Sequence, residues 1–416
     1  MIVGAIVVVV GVLVLIFLNI RPKPANTAVA KLMVWGTEDQ NTFAPLLSSY
    51  PYATVTYTQI DPANYQSQLV SALAAGDGPD VFEIGNRALP QWQSILAPLP
   101  AAYATEFSSL QMQNDFPDVV AEDFAPNGTI YGLPLSIDTL AMLYNKDLFN
   151  SAGIAFPPKT WDDFDNDVVK LRAVGASGEL TQSAAAIGGS EASIPNASDI
   201  LSLLMLQNGT EMTNADFTSA EFSSGSGQGL AAFNFYLQFA KASSPYYTWN
   251  DSMGNAADSV VAGKTAIMFG YESDLAAIKA KAPFLNIGIA AVPQPTGASV
   301  AVNYPKYEGF VAAKAGTQVN LAWNFILYLT TNEGFEKMYV SATGNPPALR
   351  TEIQADMNDQ NLSVFASQAL TAKSWHEAND AQIDAIFNSA IQSVLNGNED
   401  STKALQQAEQ SVTQLM

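Results

Sequence analysis

Cysteine is absent from this chain of 416 residues, and histidine occurs once, as His376. The first absence removes disulfides, thiolate nucleophiles and cysteine-ligated metals together. The second removes zinc sites built on several imidazoles. Positive charge is also scarce: 18 Lys and Arg stand against 39 Asp and Glu, for a formal charge of −21. No basic stripe offsets that balance, which argues against nucleic acid and against an anionic lipid surface as partners. What is present is apolar. With 48 % hydrophobic and 14 % charged residues the chain is too apolar to remain disordered, and it is long enough for two domains. Metals and cofactors have no obvious seat in such a composition, and none is expected.

Residues 1–20 carry no charge. Twenty helical residues span roughly 30 Å, the thickness of a bilayer core. Val7 to Val10 and Leu13, Leu15, Ile16, Phe17 and Leu18 are apolar on all sides rather than on one face. Nothing basic precedes this run, as a cleaved signal would want, while Arg21 and Lys23 follow it. The reading is an uncleaved anchor at 1–20 in the cell membrane, a proline-containing spacer at 21–30, and a body on the extracytoplasmic side.

From Lys31 the pattern turns α/β. The run 31–36 reads as a buried strand, 39–49 as a helix, and Ala53–Gln59 as an alternating strand. Asp61-Pro62 is an N-cap followed by proline at the first helical position, and Gly76 ends that helix. Asp80–Ile84 returns to strand, so right-handed crossovers and a parallel sheet are expected here. Further on, 129–137 and 140–144 read as strands flanking a polar step at Asp138-Thr139. Thr160 caps a helix beginning at Trp161, and 265–269 and 286–292 read as strands before a mostly helical C-terminal part.

Several stretches then match a known pattern in order. Gly128-Thr-Ile-Tyr-Gly-Leu-Pro-Leu-Ser-Ile-Asp-Thr-Leu-Ala-Met-Leu-Tyr-Asn-Lys-Asp-Leu-Phe149 carries a Tyr-Gly-x-Pro step and a Tyr-Asn-Lys-Asp-Leu-Phe block. Pro157 to Phe164, Ala74 to Phe82, Ala262 to Tyr271 and Thr343 to Ala348 follow suit. Together they resemble the extracellular solute-binding proteins of ABC importers, in the maltodextrin-type, sugar-binding branch. The resemblance implies two α/β lobes with a periplasmic-binding-protein-like fold, hinge crossovers and a ligand cleft between them. It places lobe 1 at 31–137 plus 310–345 and lobe 2 at 138–309 plus 346–416. It also implies a monomer that captures a small-molecule solute, a carbohydrate, and hands it to permease subunits in the membrane without catalysis.

Ligand groups in open α/β sheets sit just past strand C-termini. Trp35, Glu38 and Asp39 follow the first strand, although the two acids equally suit a helix N-terminus. Asn86 and Arg87 follow the strand at 80–84, and an amide there suits hydroxyl recognition. Asp138 interrupts two apolar strands at the lobe change, where the resemblance places a ligand-contacting acid. Tyr271 and Glu272 follow a second-lobe strand, Tyr307 and Glu308 mark the return crossover, and Trp375 lies where the resemblance supplies an aromatic wall. Trp161 is assigned to structure, while Trp92, Trp249 and Trp323 carry no pattern that separates site from core.

Other motifs fail. Ala262-Gly-Lys-Thr265 ends like a phosphate loop, but Asp258 stands where glycine is required. The acids at 162, 163, 165 and 167 lack the glycine of a calcium loop. Three functions compete: a tethered solute receptor, a sensor using the same fold, and a secreted glycan hydrolase using a carboxylate pair. Within the first, polyamines and peptides are the alternatives to sugar. The chain carries no hydrolase motif, and with 39 acids a carboxylate pair can always be nominated.

Overall fold

The computed structural model describes residues 30–177 and 179–416. The expected anchor at 1–20 and nearly all of the spacer lie outside the described residues. Among the described residues no helix is long and apolar enough to cross a membrane.

The first lobe begins with β1 (Lys31–Gly36), β2 (Thr54–Gln59), β3 (Val81–Gly85), β4 (Leu96–Ala97) and β5 (Gly132–Pro134). Leu32 and Val34 alternate inward on β1, while Val81 to Ile84 are buried throughout, as a central strand requires. Between them the helix Pro62–Ala75 starts at Asp61, whose Oδ1 accepts the Ala63 amide at 2.9 Å. It stops at Gly76, in the left-handed region at φ 81°. The strands β1, β2 and β3 are mutually parallel through β1.

A short crossover strand, β6 (Asp138–Thr139), leads to the second lobe. There β7 (Ala141–Asn145), β8 (Ala173–Val174), β9 (Leu180–Ala186), β10 (Thr265–Gly270) and β11 (Ile287–Ala290) form a sheet in the order β11-β7-β10-β9-β8. The helix Trp161–Leu171 is fixed by a capping box between Thr160 and Asp163. Trp161 packs edge-on against Phe164 and Phe235, and its Nε1 donates to Gln207. Trp92, Trp249 and Trp323 are all buried core residues.

The chain returns through β12 (Pro305–Lys306), which pairs antiparallel with β6. It then enters β13 (Glu308–Ala313), completing the first sheet in the order β2-β1-β3-β13-β4, with β5 also on β13. Beside the paired crossovers, Thr139 Oγ1 donates to the Phe365 carbonyl at 2.9 Å. Gln368 bonds Leu140 and Val292, so the helix Ser363–Ala369 braces the hinge.

The hydrophobic cores move both expected lobe boundaries. Because Glu308 pairs with Gly85, the residues 308 and 309 belong to the first sheet rather than to lobe 2. Ala348, Leu349 and Ile353 join the first core, so the first lobe's return segment runs past 345. Thereafter Phe365 packs with the second core while Ala366 and Ala369 pack with the first.

Candidate functional site

The C-terminal ends of β1 and β3 and the start of β13 meet the second lobe across a cavity of about 420 Å³. From the first lobe and its return segment come Glu38, Asn86, Arg87, Glu308 and Asn345. The hinge contributes Ser136, Asp138, Lys306 and Tyr307, and the second lobe contributes Asn196, Tyr271, Ser273 and Asp274. A smaller space of about 260 Å³, lined by Thr37, Tyr65, Glu83 and Trp92, adjoins it through Gly85, Glu308 and Asp380. A larger cavity of about 860 Å³ lies beside Asp123, Phe217, Trp375 and His376, but gathers no strand ends. The strand-end cavity is therefore the candidate site.

Arg87 is only 3 % exposed and crosses between the lobes. Its Nη1 lies 3.1 Å from Asp199 Oδ1 and 2.9 Å from both Glu377 Oε1 and the Tyr304 hydroxyl. Asp380 stands 3.7 Å from Nη2. Tyr271 donates to the other oxygen of Asp199 at 2.9 Å, tying the cavity wall to this charged core.

Asp138 has both oxygens engaged by backbone. Oδ1 accepts from Thr139 N–H and Oδ2 from Glu272 N–H, each at 2.8 Å. Burial nevertheless pushes its carboxyl up to about 8, against the lowering effect of those two bonds. Asp123, behind the cavity, accepts from Asn86 Nδ2 at 3.0 Å, from the Tyr307 hydroxyl at 2.5 Å and from Ser374. Burial raises it to about 7.

A second acidic group occupies the strand ends. Glu83 Oε2 accepts the Thr37 amide at 2.9 Å, and Glu38 accepts from the Tyr339 hydroxyl and from Asn345 at 3.2 Å. Burial, then repulsion from Glu308 and Glu38, holds Glu83 well above the usual carboxylate range. Glu308 opens to the cavity and is also raised, by desolvation first and Glu38 second, with Lys306 acting in the opposite sense.

The structure thus brings together Glu38, Asn86, Arg87, Asp138, Tyr271, Tyr307 and Glu308 of the residues expected from sequence. Glu272 contributes its backbone N–H to Asp138, and its side chain does not line the cavity. Asp39 is the N-cap of the helix Gln40–Leu47, where its Oδ1 accepts Thr42 N–H at 2.9 Å. Trp35 packs half-buried against the first core. Trp375 is buried with Nε1 3.4 Å from Ser202 and lines the separate larger cavity, so it forms no wall of the candidate site.

Sequence reasoning missed Glu83, Lys306, Asn345 and Asp380. Glu83 had a signal, a charge inside the apolar run Val81-Phe-Glu-Ile84. Asn345 lay within the quoted stretch Thr343 to Ala348. Lys306 adjoins Tyr307, and Asp380 opens the helix Asp380–Leu395.

Comparison with known proteins follows the same lines. Residues 38–334 match the family described as bacterial extracellular solute-binding protein. A putative binding protein of Brucella abortus is 27 % identical over 344 residues, covering 79 % of this chain and 78 % of its own. The multiple sugar-binding protein of Streptococcus mutans is 25 % identical over 312 residues, covering 73 % and 70 %. Among solved structures, the sugar-binding protein MalE of Xanthomonas citri superposes with a TM-score of 0.77 at 20 % identity, covering 93 % of this chain and 97 % of that one. An ABC substrate-binding protein from Listeria monocytogenes in complex with cycloalternan gives 0.73 at 19 % identity, covering 92 % and 98 %.

Proposed function

The chain belongs to the family of bacterial extracellular solute-binding proteins, and we propose that it captures a sugar or oligosaccharide between its lobes and delivers it to an ABC permease. The observation that carries this reading is the cavity at the strand ends, whose polar groups come from both lobes and from the hinge between them. Carboxylates and amides set around one space suit vicinal hydroxyls, which both donate and accept. Asp138, Asn86, Glu38 and Glu308 are the ligand-facing groups in this reading, with Tyr271 and Tyr307 in the wall beside them. Asp138 sits on the crossover strand β6, so a ligand held there touches the element about which the lobes turn.

The protein acts as a monomeric receptor rather than an enzyme. Arg87, Asp199 and Glu377 serve to join the lobes, and residues 1–20 hold the body at the outer face of the membrane.

A thermal-shift screen of the full chain against mono- and oligosaccharides tests the reading. A sugar at about a hundred times its dissociation constant stabilises by ~2.7 kcal/mol, and the Asp138→Ala variant loses that shift. A flat response to every sugar contradicts it.

A further inference from the structure

Several strands of this fold contain glycine, and for most of them packing supplies the reason. A Cβ on Gly36, Gly132, Gly270, Gly288 or Gly309 would stand 2.4 to 2.9 Å from a neighbouring atom. Gly85, the last residue of β3, is different. A Cβ there would have only Asp380 Oδ2 within 4 Å, at 3.4 Å, which is an ordinary contact. Its φ lies outside the left-handed region, and it pairs with Glu308 in unbroken register. Neither a turn nor a bulge therefore demands glycine here. A strand glycine that serves none of these needs marks the close approach of a second backbone or of a ligand. Among the described residues no backbone beyond its chain neighbours comes within 4 Å of that Cβ position, which leaves the ligand.

Gly85 also stands where two spaces meet. Together with Glu308 and Asp380 it lines both the strand-end cavity of about 420 Å³ and the adjoining one of about 260 Å³. The smaller space falls under the roughly 300–1,000 Å³ of ordinary ligand pockets, so it extends the first rather than forming a separate site. Its wall suits a sugar ring. Tyr65 and Trp92 stand in it, with Thr37, Gln66 and Glu83 supplying polar groups beside them. Tyr65 is held in place by the Glu83 N–H, which donates to its hydroxyl at 2.9 Å. Gly85 and Glu308 belong to the first sheet, whereas Asp380 opens a helix whose Ile383 and Phe387 pack in the second core. The passage between the two spaces is thus bounded by both lobes.

We propose that the two spaces form one binding site for a sugar of two or more linked units, and that Gly85 sets this length by leaving the passage between them open. One unit lies on the Asp138 side, the next lies beside Tyr65, and the linkage crosses the bare backbone of Gly85. A side chain at this position closes the passage and leaves room for a single unit. The proposal rests on the reading of the cleft as a sugar site, and it names length as the property that the cleft selects.

Isothermal titration of the full chain separates the proposal from that reading. Maltose and cellobiose are compared with glucose, β-1,4-mannobiose with mannose, and lactose with galactose. In at least one comparison the disaccharide binds about tenfold or more tightly than its monosaccharide. Bulk set in a ligand's path is as costly as overpacking a core, so Gly85→Val weakens that disaccharide about tenfold or more, and by more than it weakens the monosaccharide. Gly85→Ala, whose methyl fits without moving Asp380, acts in the same direction to a smaller extent. Gln66→Ala alters an exposed position that lines only the smaller space, and it also reduces the disaccharide's advantage. Should Gly85→Val fail to fold, the other two variants decide. Monosaccharides that bind as tightly as every disaccharide overturn the proposal while leaving the cleft a sugar site. An advantage that survives unchanged in the folded variants does the same. Failure of every sugar to bind overturns both readings.

Discussion

Arg87 of the first lobe and Asp199 of the second lie 3.1 Å apart, Nη1 to Oδ1, with both side chains almost fully enclosed. Glu377 adds a second carboxylate at 2.9 Å. The lobes are therefore joined by a buried ion cluster as well as by chain crossovers. Such a cluster is worth little against an apolar replacement of the whole set, but much against loss of one member.

Replacing that one member is the first prediction. Arg87→Met leaves Asp199 and Glu377 buried without their cation, and destabilises the chain by about 3–5 kcal/mol. Urea unfolding followed by circular dichroism measures it. A change below about 1 kcal/mol would mean that water reaches the cluster freely.

The second concerns pH. Burial raises Asp123 to about 7, Asp138 to about 8 and Glu336 to about 7. In the unfolded chain such carboxyls titrate near 4, so between about 4 and these values the native state holds protons that the unfolded state has released. Stability is then greatest at low pH within this window and is lost as pH rises toward 8. The lowered His376, also a result of burial, acts in the opposite sense, but it is a single group. Urea midpoints of the ligand-free chain at pH 5.5 and 8.0 test the sign. A lower midpoint at pH 8.0 is expected, by roughly 1 kcal/mol or more in free energy; a flat or rising profile contradicts it.

Two acids close in sequence type have different tasks, which gives a third prediction. Asp39→Ala removes a helix cap and costs about 1 kcal/mol of stability, with sugar affinity unchanged. Asp138→Ala frees the amides of Thr139 and Glu272 and weakens sugar binding at least tenfold. Titration calorimetry on both variants separates them. Equal losses of affinity would show that Asp138 has no task at the ligand beyond holding local structure.

The fold was legible where the chain announces its own punctuation. Asp61-Pro62 and Gly76 bound one helix, and Thr160 opens another with a capping box. The apolar runs at 81–85 and 265–270 become the central strands β3 and β10. Asp138 was legible because a carboxylate between two apolar strands must be held by something, here two amides. The large aromatics were not. Trp35 and Trp375 are followed by polar residues, as a ligand platform would be, yet each packs into a core. A flat, mostly apolar side chain looks the same in sequence whether its face meets a sugar or a neighbouring helix. Asp380 and Lys306 were hidden for another reason. Asp380 reaches Arg87 from almost three hundred residues away in sequence, and that approach is set by how the crossovers pair rather than by any local pattern.

The lack of cysteine makes the central claim directly measurable. Asn64→Cys on the first lobe and Ala277→Cys on the second place spin labels at exposed positions of the full chain. Double electron–electron resonance then reads the distance between them with and without a bound sugar. Capture by lobe closure predicts a broad or longer distribution without ligand that collapses to one short distance at saturation. A sugar that binds while leaving the distribution unchanged would contradict closure as the means of capture.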